Sequence, residues 1–122
     1  MRRILLDQNA PVGLRSCFPA DDVRLAREMG WATLENGELI LAAERAGFDV
    51  LITADRNIRH QQNVSGRTIA LIALGIGRWS VVKTATTRVV EAVDAARPGT
   101  CTEVPFERPP LRRRPFDRER TP

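Results

Sequence analysis

The sequence predicts an α/β domain, a three-layer sandwich around a mostly parallel central sheet. Three observations carry that reading. Apolar runs at residues 4–6, 50–52 and 69–74 do not alternate cleanly, as suits strands buried on both faces. Segments with apolar residues at helical spacing separate these runs, and strands alternating with helices pair in parallel through right-handed crossovers. The 122 residues, 43% of them hydrophobic, make one domain with enough apolar side chains for a core.

Taken in order, Ile4-Leu5-Leu6 is the first strand, and Pro11 is placed to open a helix over 12–18. Residues 22–26 read as a further short strand. Asn36 is a good N-cap for a helix whose stripe (Leu39, Ile40, Ala42, Ala43, Ala46) stops at Gly47. Val50-Leu51-Ile52 and residues 69–74 are the central strands. Ser80 caps a longer helix in which Val81, Val82, Ala85, Val89, Ala92, Val93 and Ala96 recur until Pro98-Gly99. Residues 100–104 complete the sheet as an edge strand. No internal repeat is visible.

The formal charge of +4 is concentrated at one end. Residues 104–122 carry six arginines against Glu107, Asp117 and Glu119, which leaves a body of +1 over residues 1–103. That division defines a domain at 1–103 and a flexible Pro/Arg-rich tail at 104–122, which is either a solvated extension or an arm for nucleic acid or a partner. Eighteen of the nineteen bases are arginine, which a GC-rich genome accounts for as well as phosphate binding does. No run of about 18 apolar residues exists, so no membrane-spanning helix is expected, and the apolar part of the N-terminus is too short for a signal peptide. Cys17 and Cys101 make no disulfide framework, and free thiols fit a cytoplasmic location. Cys17 reads as a packing residue.

Parallel α/β sheets place their sites beyond the carboxyl ends of the strands, and this rule sorts the acids. Asp7 follows the first strand, Asp55 follows the strand at 50–52, and Glu38 lies in the first turn of the crossover helix between them. Asp21, Asp22 and Asp49 precede strands and belong to the opposite rim. Three carboxylates at one edge repel unless a cation lies among them, and a hard divalent ion, Mg²⁺ or Mn²⁺, suits an all-oxygen set. Nothing supports a zinc site: there is one histidine, His60, and the two cysteines are far apart in sequence. Each acid also has an ordinary role: Asp7 in a turn, Glu38 on the helix dipole, Asp55 in a turn or cap.

The stretches Ile4-Leu5-Leu6-Asp7-Gln8-Asn9, Asn36-Gly37-Glu38-Leu39-Ile40-Leu41-Ala42 and Thr53-Ala54-Asp55-Arg56-Asn57, with Glu28-Met29-Gly30-Trp31, resemble PIN-like domains. They are most similar to the compact group related to VapC-type toxins. The likeness covers about residues 1–80. It implies a PIN-like fold, divalent-metal-dependent endoribonuclease activity, an RNA substrate, a small antitoxin encoded nearby, and a second copy of the chain as a possible partner. Residue by residue, the family's acids fall on Asp7, Glu38 and Asp55, as metal ligands and catalytic groups. Members of the group often carry another acid two residues after the post-strand aspartate; here Asn57 holds that place, and its amide oxygen can ligate but adds no charge.

On this reading Mg²⁺ held by Asp7, Asp55 and Glu38 polarises a phosphodiester oxygen and lowers the pKa of a bound water, which Glu38 or Asp55 orients for in-line attack. The resemblance implies 5′-phosphate and 3′-hydroxyl products. Asn9 and Thr53 support the acids by hydrogen bonding. Arg56, Arg59 and His60 either hold RNA phosphates or belong to a solvated loop. Trp31 and Trp79 either stack on bases or lie buried over helices.

Three rivals are weighed. A phosphoacceptor receiver domain wants an acidic pair, a hydroxyl after a later strand and a late lysine, but Gln8 and Asn9 flank Asp7, residues 69–74 lead into Gly75-Ile76-Gly77, and Lys83 lies within a helix pattern. A haloacid-dehalogenase-type phosphatase wants Asp-x-Asp, and Asn9 holds its second place. The alternative from another class is a non-catalytic PIN-like module that binds RNA or an antitoxin.

Overall fold

In the computed structural model, which describes residues 1–58 and 63–106, five short strands form one sheet in which every neighbouring pair is parallel. They are β1 (Arg3–Leu6), β2 (Asp22–Leu25), β3 (Val50–Thr53), β4 (Ala70–Ala73) and β5 (Cys101–Glu103), in the order β2-β1-β3-β4-β5. The sheet is thus wholly parallel rather than mostly so. Register pairs Ile4 with Val23 on one side and Val50 on the other, and Leu71 pairs with Cys101.

Strict side-chain alternation divides the core into two clusters. Ile4, Leu6, Val50, Ile52 and Ile72 pack with Leu14, Phe18, Val82, Val89 and Val93 on one face. Leu5, Leu51, Leu71 and Ala73 pack with Leu39, Ile40, Ala43 and Ile58 on the other. The central strands are therefore apolar at every position, and the expected three layers are present. Each fully buried Leu or Ile contributes about 1.5–3 kcal/mol. Edge strand β2 instead alternates, with Arg24 exposed between buried Val23 and Leu25.

The helical segments are α1 (Asn36–Arg45), a single turn α2 (Trp79–Val82) and α3 (Thr86–Ala95). Three details differ from the sequence expectation. The segment expected as a helix over 12–18 is a 3₁₀ helix, Val12–Cys17, with Leu14 its one buried side chain; six residues with so narrow an apolar face favour the tighter turn. The helix expected to run unbroken from Ser80 starts at Trp79 and passes through a 3₁₀ turn, Lys83–Ala85, before α3. There the Thr84 hydroxyl donates to the Val81 carbonyl at 2.7 Å, competing with the helical ladder. Asn36 does not cap α1: Glu35 holds the N-cap position and accepts the first helical bond, Leu39 N–H to Glu35 O at 2.7 Å.

The packed body continues past residue 103, because Val104 is buried and Phe106 packs against the same cluster. The rest of the expected tail, from Glu107 onward, lies outside the described residues, as do Arg59 and His60. Cys17 is a free thiol packed against the first cluster, and Cys101 packs against the second. No helix among the described residues is long and apolar enough to cross a membrane.

At the amino ends of the strands, acids and arginines neutralise one another as the topology predicts. Arg2 pairs with Asp21 and with Asp94, both at 2.7 Å, the Arg3 N–H donates to Asp49 at 2.9 Å, and Arg24 pairs with Asp22 at 2.8 Å. The hydrogen bond from the Arg2 guanidinium holds the Asp21 carboxyl below its ordinary value against the opposing effect of burial. A carboxyl whose folded pKa is depressed contributes stability that is complete above its unfolded pKa and is lost as pH falls through the folded value. The urea midpoint should therefore drop between about pH 5 and about pH 2, and Asp21→Asn should flatten that acid limb. An unchanged limb in the variant excludes the Arg2–Asp21 pair as its source.

Candidate active site

Parallel pairing throughout puts all five carboxyl ends on one edge. Strand order reverses between β1 and β3, and sheets of this kind bind ligands outside the carboxyl ends at such a switch point. Asp7 immediately follows β1, Thr53 ends β3, and Asp55 stands two residues beyond it.

Thr53 is fully buried and is the one buried polar residue among those described. A buried hydroxyl needs partners, and these are what join the two loops. Thr53 Oγ1 donates to Asp7 Oδ2 at 2.8 Å and accepts the Asp55 N–H at 3.2 Å. With its single proton so placed, the 3.3 Å approach to Asn9 Oδ1 is the weaker alternative; that amide oxygen takes the Ala54 N–H at 3.0 Å. The Asp7 backbone is anchored to β3 through Ile52 O at 2.9 Å, and its second carboxylate oxygen takes the Gln8 N–H at 2.7 Å.

The Asp55 carboxylate turns toward α1. Its Oδ2 accepts Asn36 Nδ2 at 2.9 Å, and its Oδ1 accepts the Asn57 N–H at 2.9 Å in an Asx turn. Asn36, read from sequence only as a cap, therefore tethers α1 to Asp55. Glu38 is exposed, and its carboxylate accepts the Glu35 N–H at 3.2 Å. Two residues along an α-helix amount to about 200° of rotation, so a helix presenting Asn36 to Asp55 turns Glu38 the other way. Among the described residues no three His, Cys, Asp or Glu side chains are grouped to hold a metal ion. The structure thus joins Asp7, Thr53 and Asn9 with the Asp55 backbone, turns the Asp55 carboxylate toward Asn36, and leaves Glu38 at the helix cap. Asn57 contributes its backbone N–H.

The loop after β4 packs against the loops after β1 and β3. A Cβ on Gly77 would lie 2.5 Å from the Asn9 carbonyl oxygen and 3.4 Å from the Ala54 Cβ, so glycine is what lets this loop touch the other two. Arg56 is exposed, runs along Gly75, and borders a cavity of about 520 Å³ with Glu103, Val104 and Phe106. Trp31 packs edge-on against Phe48, ring centres 6.0 Å apart, whereas Trp79 covers Gly13 and stays 37% exposed.

The donor set can be tested against a hard divalent cation. Each of the four oxygens of Asp7 and Asp55 takes one hydrogen bond and keeps a second lone pair. Neither acid forms an ion pair among the described residues. Magnesium commonly uses one or two carboxylates and leaves its remaining positions to water and phosphate, so these two residues fit it. No protein-family model matches the chain, and no curated protein or solved structure matches it significantly.

Removing the Thr53 hydroxyl while keeping its bulk should unpair both loops. Thr53→Val is expected to cost about 1–3 kcal/mol in urea denaturation, and Thr53→Ser to recover part of it by restoring the hydroxyl. Equal stability of Thr53→Val and the parent would show that the hydroxyl does not join them.

Proposed function

We propose that this chain is a divalent-metal-dependent endoribonuclease of the PIN-like kind, acting as the toxin of a toxin–antitoxin pair. The observation that carries the reading is the junction at Thr53, where the Asp7 carboxylate and the Asp55 backbone share one buried hydroxyl at the switch point of a parallel sheet. The order of the Asp7, Glu38 and Asp55 segments adds the PIN-like resemblance, from which the antitoxin partner and the cytoplasmic location come. A short neighbouring gene with a DNA-binding motif would support the partner.

Asp7 and Asp55 are the residues that would hold Mg²⁺ or Mn²⁺. When bound, such an ion supplies charge neutralisation for a phosphodiester and a lowered pKa for water. The chain's own part is positional. Thr53 and Gln8 fix both oxygens of Asp7, while Asn36 and Asn57 fix both oxygens of Asp55, so neither carboxylate must reorganise when substrate arrives. Asp55 is the acid placed to orient an attacking water. Glu38 supports the start of α1 rather than the reacting atoms. Arg56, exposed beside Asp55, is the cation for an RNA phosphate.

The second reading, a non-catalytic module for RNA or an antitoxin, is favoured by the position of Glu38, which leaves two carboxylates where the family has more. Cleavage of a structured RNA with Mn²⁺ separates the two. Asp7→Asn and Asp55→Asn should each lower cleavage by about a hundredfold or more with the fold intact, whereas Glu38→Gln, whose amide oxygen still accepts the Glu35 N–H, should cost far less activity and little stability. Undiminished cleavage by either aspartate variant overturns the site. Binding of RNA without cleavage by the parent protein favours the module.

A further inference from the structure

Trp79 stands outside the chemistry above, and its setting is specific. It opens α2 at the end of the loop that follows β4, on the same edge as Asp7 and Asp55. A Cβ on Gly13 would lie 2.6, 2.7 and 2.8 Å from Cε2, Cζ2 and Cδ2 of the indole. Adjacent ring atoms at nearly equal distance mean that the missing methyl would strike the face of the ring. Glycine therefore lets one indole face rest on the backbone after β1, and the ring keeps 37% of its surface exposed. The same two loops meet again where Gly77 touches Asn9, two residues from Asp7.

We infer that Trp79 is the stacking platform for one nucleobase of the bound RNA strand; this rests on the RNA reading above. A nucleotide has an apolar base face and a charged phosphate, and both find complements on this edge. Arg78, next to Trp79, and Arg56, lying against Gly75 in the same loop, are exposed and have no acid partner among the described residues. Apart from Met1, the exposed large apolar side chains among the described residues are Val12 and Trp79. Two side chains match one base and fall far short of the roughly 800 Å² per partner of a stable protein interface. A ring already seated on glycine loses little freedom when a base stacks on it.

The test uses the emission of Trp79 in full-length protein carrying Trp31→Phe, with chelator present so that no cleavage occurs. A short single-stranded oligoadenylate should quench that emission, and an abasic oligonucleotide of equal length should not. Trp79→Ala should weaken oligoadenylate binding about ten- to a hundredfold, the scale of one stacked base, and Trp79→Phe should recover part of the loss. Equal quenching by both oligonucleotides, or affinity unchanged in Trp79→Ala, overturns the platform. So does the absence of quenching by either, which would leave Val12 and Trp79 as apolar surface for another partner. Metal-dependent cleavage measured separately keeps the two ideas apart: an active enzyme without quenching loses only the platform, and quenching without cleavage loses only the nuclease.

Discussion

The hydroxyl of Thr53 is buried where two loops must meet, and most of the candidate site follows from satisfying it. Left unpaired it would cost about 1–3 kcal/mol, so the chain beyond β3 and the chain beyond β1 are both drawn to it. That single group explains why Asp7 holds one orientation, why Asp55 leaves β3 where it does, and why Asn9 sits on the Ala54 amide. The Gly77 contact then brings a third loop against the pair. Local hydrogen bonding at the end of one strand thereby organises residues separated by about half the chain.

The two rims of the sheet are electrostatic opposites. At the amino ends, Arg2, Arg3 and Arg24 neutralise Asp21, Asp22 and Asp94, while Asp49 accepts the Arg3 backbone N–H, and the same bonds secure the entry of β1 and β2. At the carboxyl ends, Asp7 and Asp55 are held by neutral donors only, so their charge is oriented but not cancelled. The amides and the hydroxyl fix the direction of each carboxylate oxygen and leave a second lone pair open on each. Exposed Arg56 and Arg78 border the same edge without compensating either acid.

Much of this was legible in the sequence because it depends on strand ends. Unbroken apolar runs at Ile4-Leu5-Leu6 and Val50-Leu51-Ile52 identify strands buried on both faces, and a parallel sheet then sorts the acids by whether they precede or follow a strand. Asp21, Asp22 and Asp49 fall on the amino rim for that reason, and Asp7 and Asp55 on the other. Glu38 illustrates what strand ends cannot say. Its approach depended on which way the first turn of α1 faces, and the Glu35 N–H together with the Asn36–Asp55 bond fixes that turn differently from a simple convergence of three acids. The N-caps at Glu35 rather than Asn36, and at Arg78 rather than Ser80, were hidden because the neighbouring Asn36 and Ser80 are the better capping residues by type. The seats of Trp79 on Gly13 and of Gly77 on Asn9 join residues more than sixty positions apart, and no local pattern announces such contacts.

The account reduces to one claim, that Asp7 and Asp55 together form the divalent-ion site of this chain. Titrating Mn²⁺ at low stoichiometry while following backbone amide resonances tests it directly, since a paramagnetic ion broadens the amides nearest to it. The account predicts that Gln8 and Ala54 through Asn57 broaden first and together. Earliest broadening at Asp21, Asp22 and Asp49, or no selective broadening at any concentration, would contradict it.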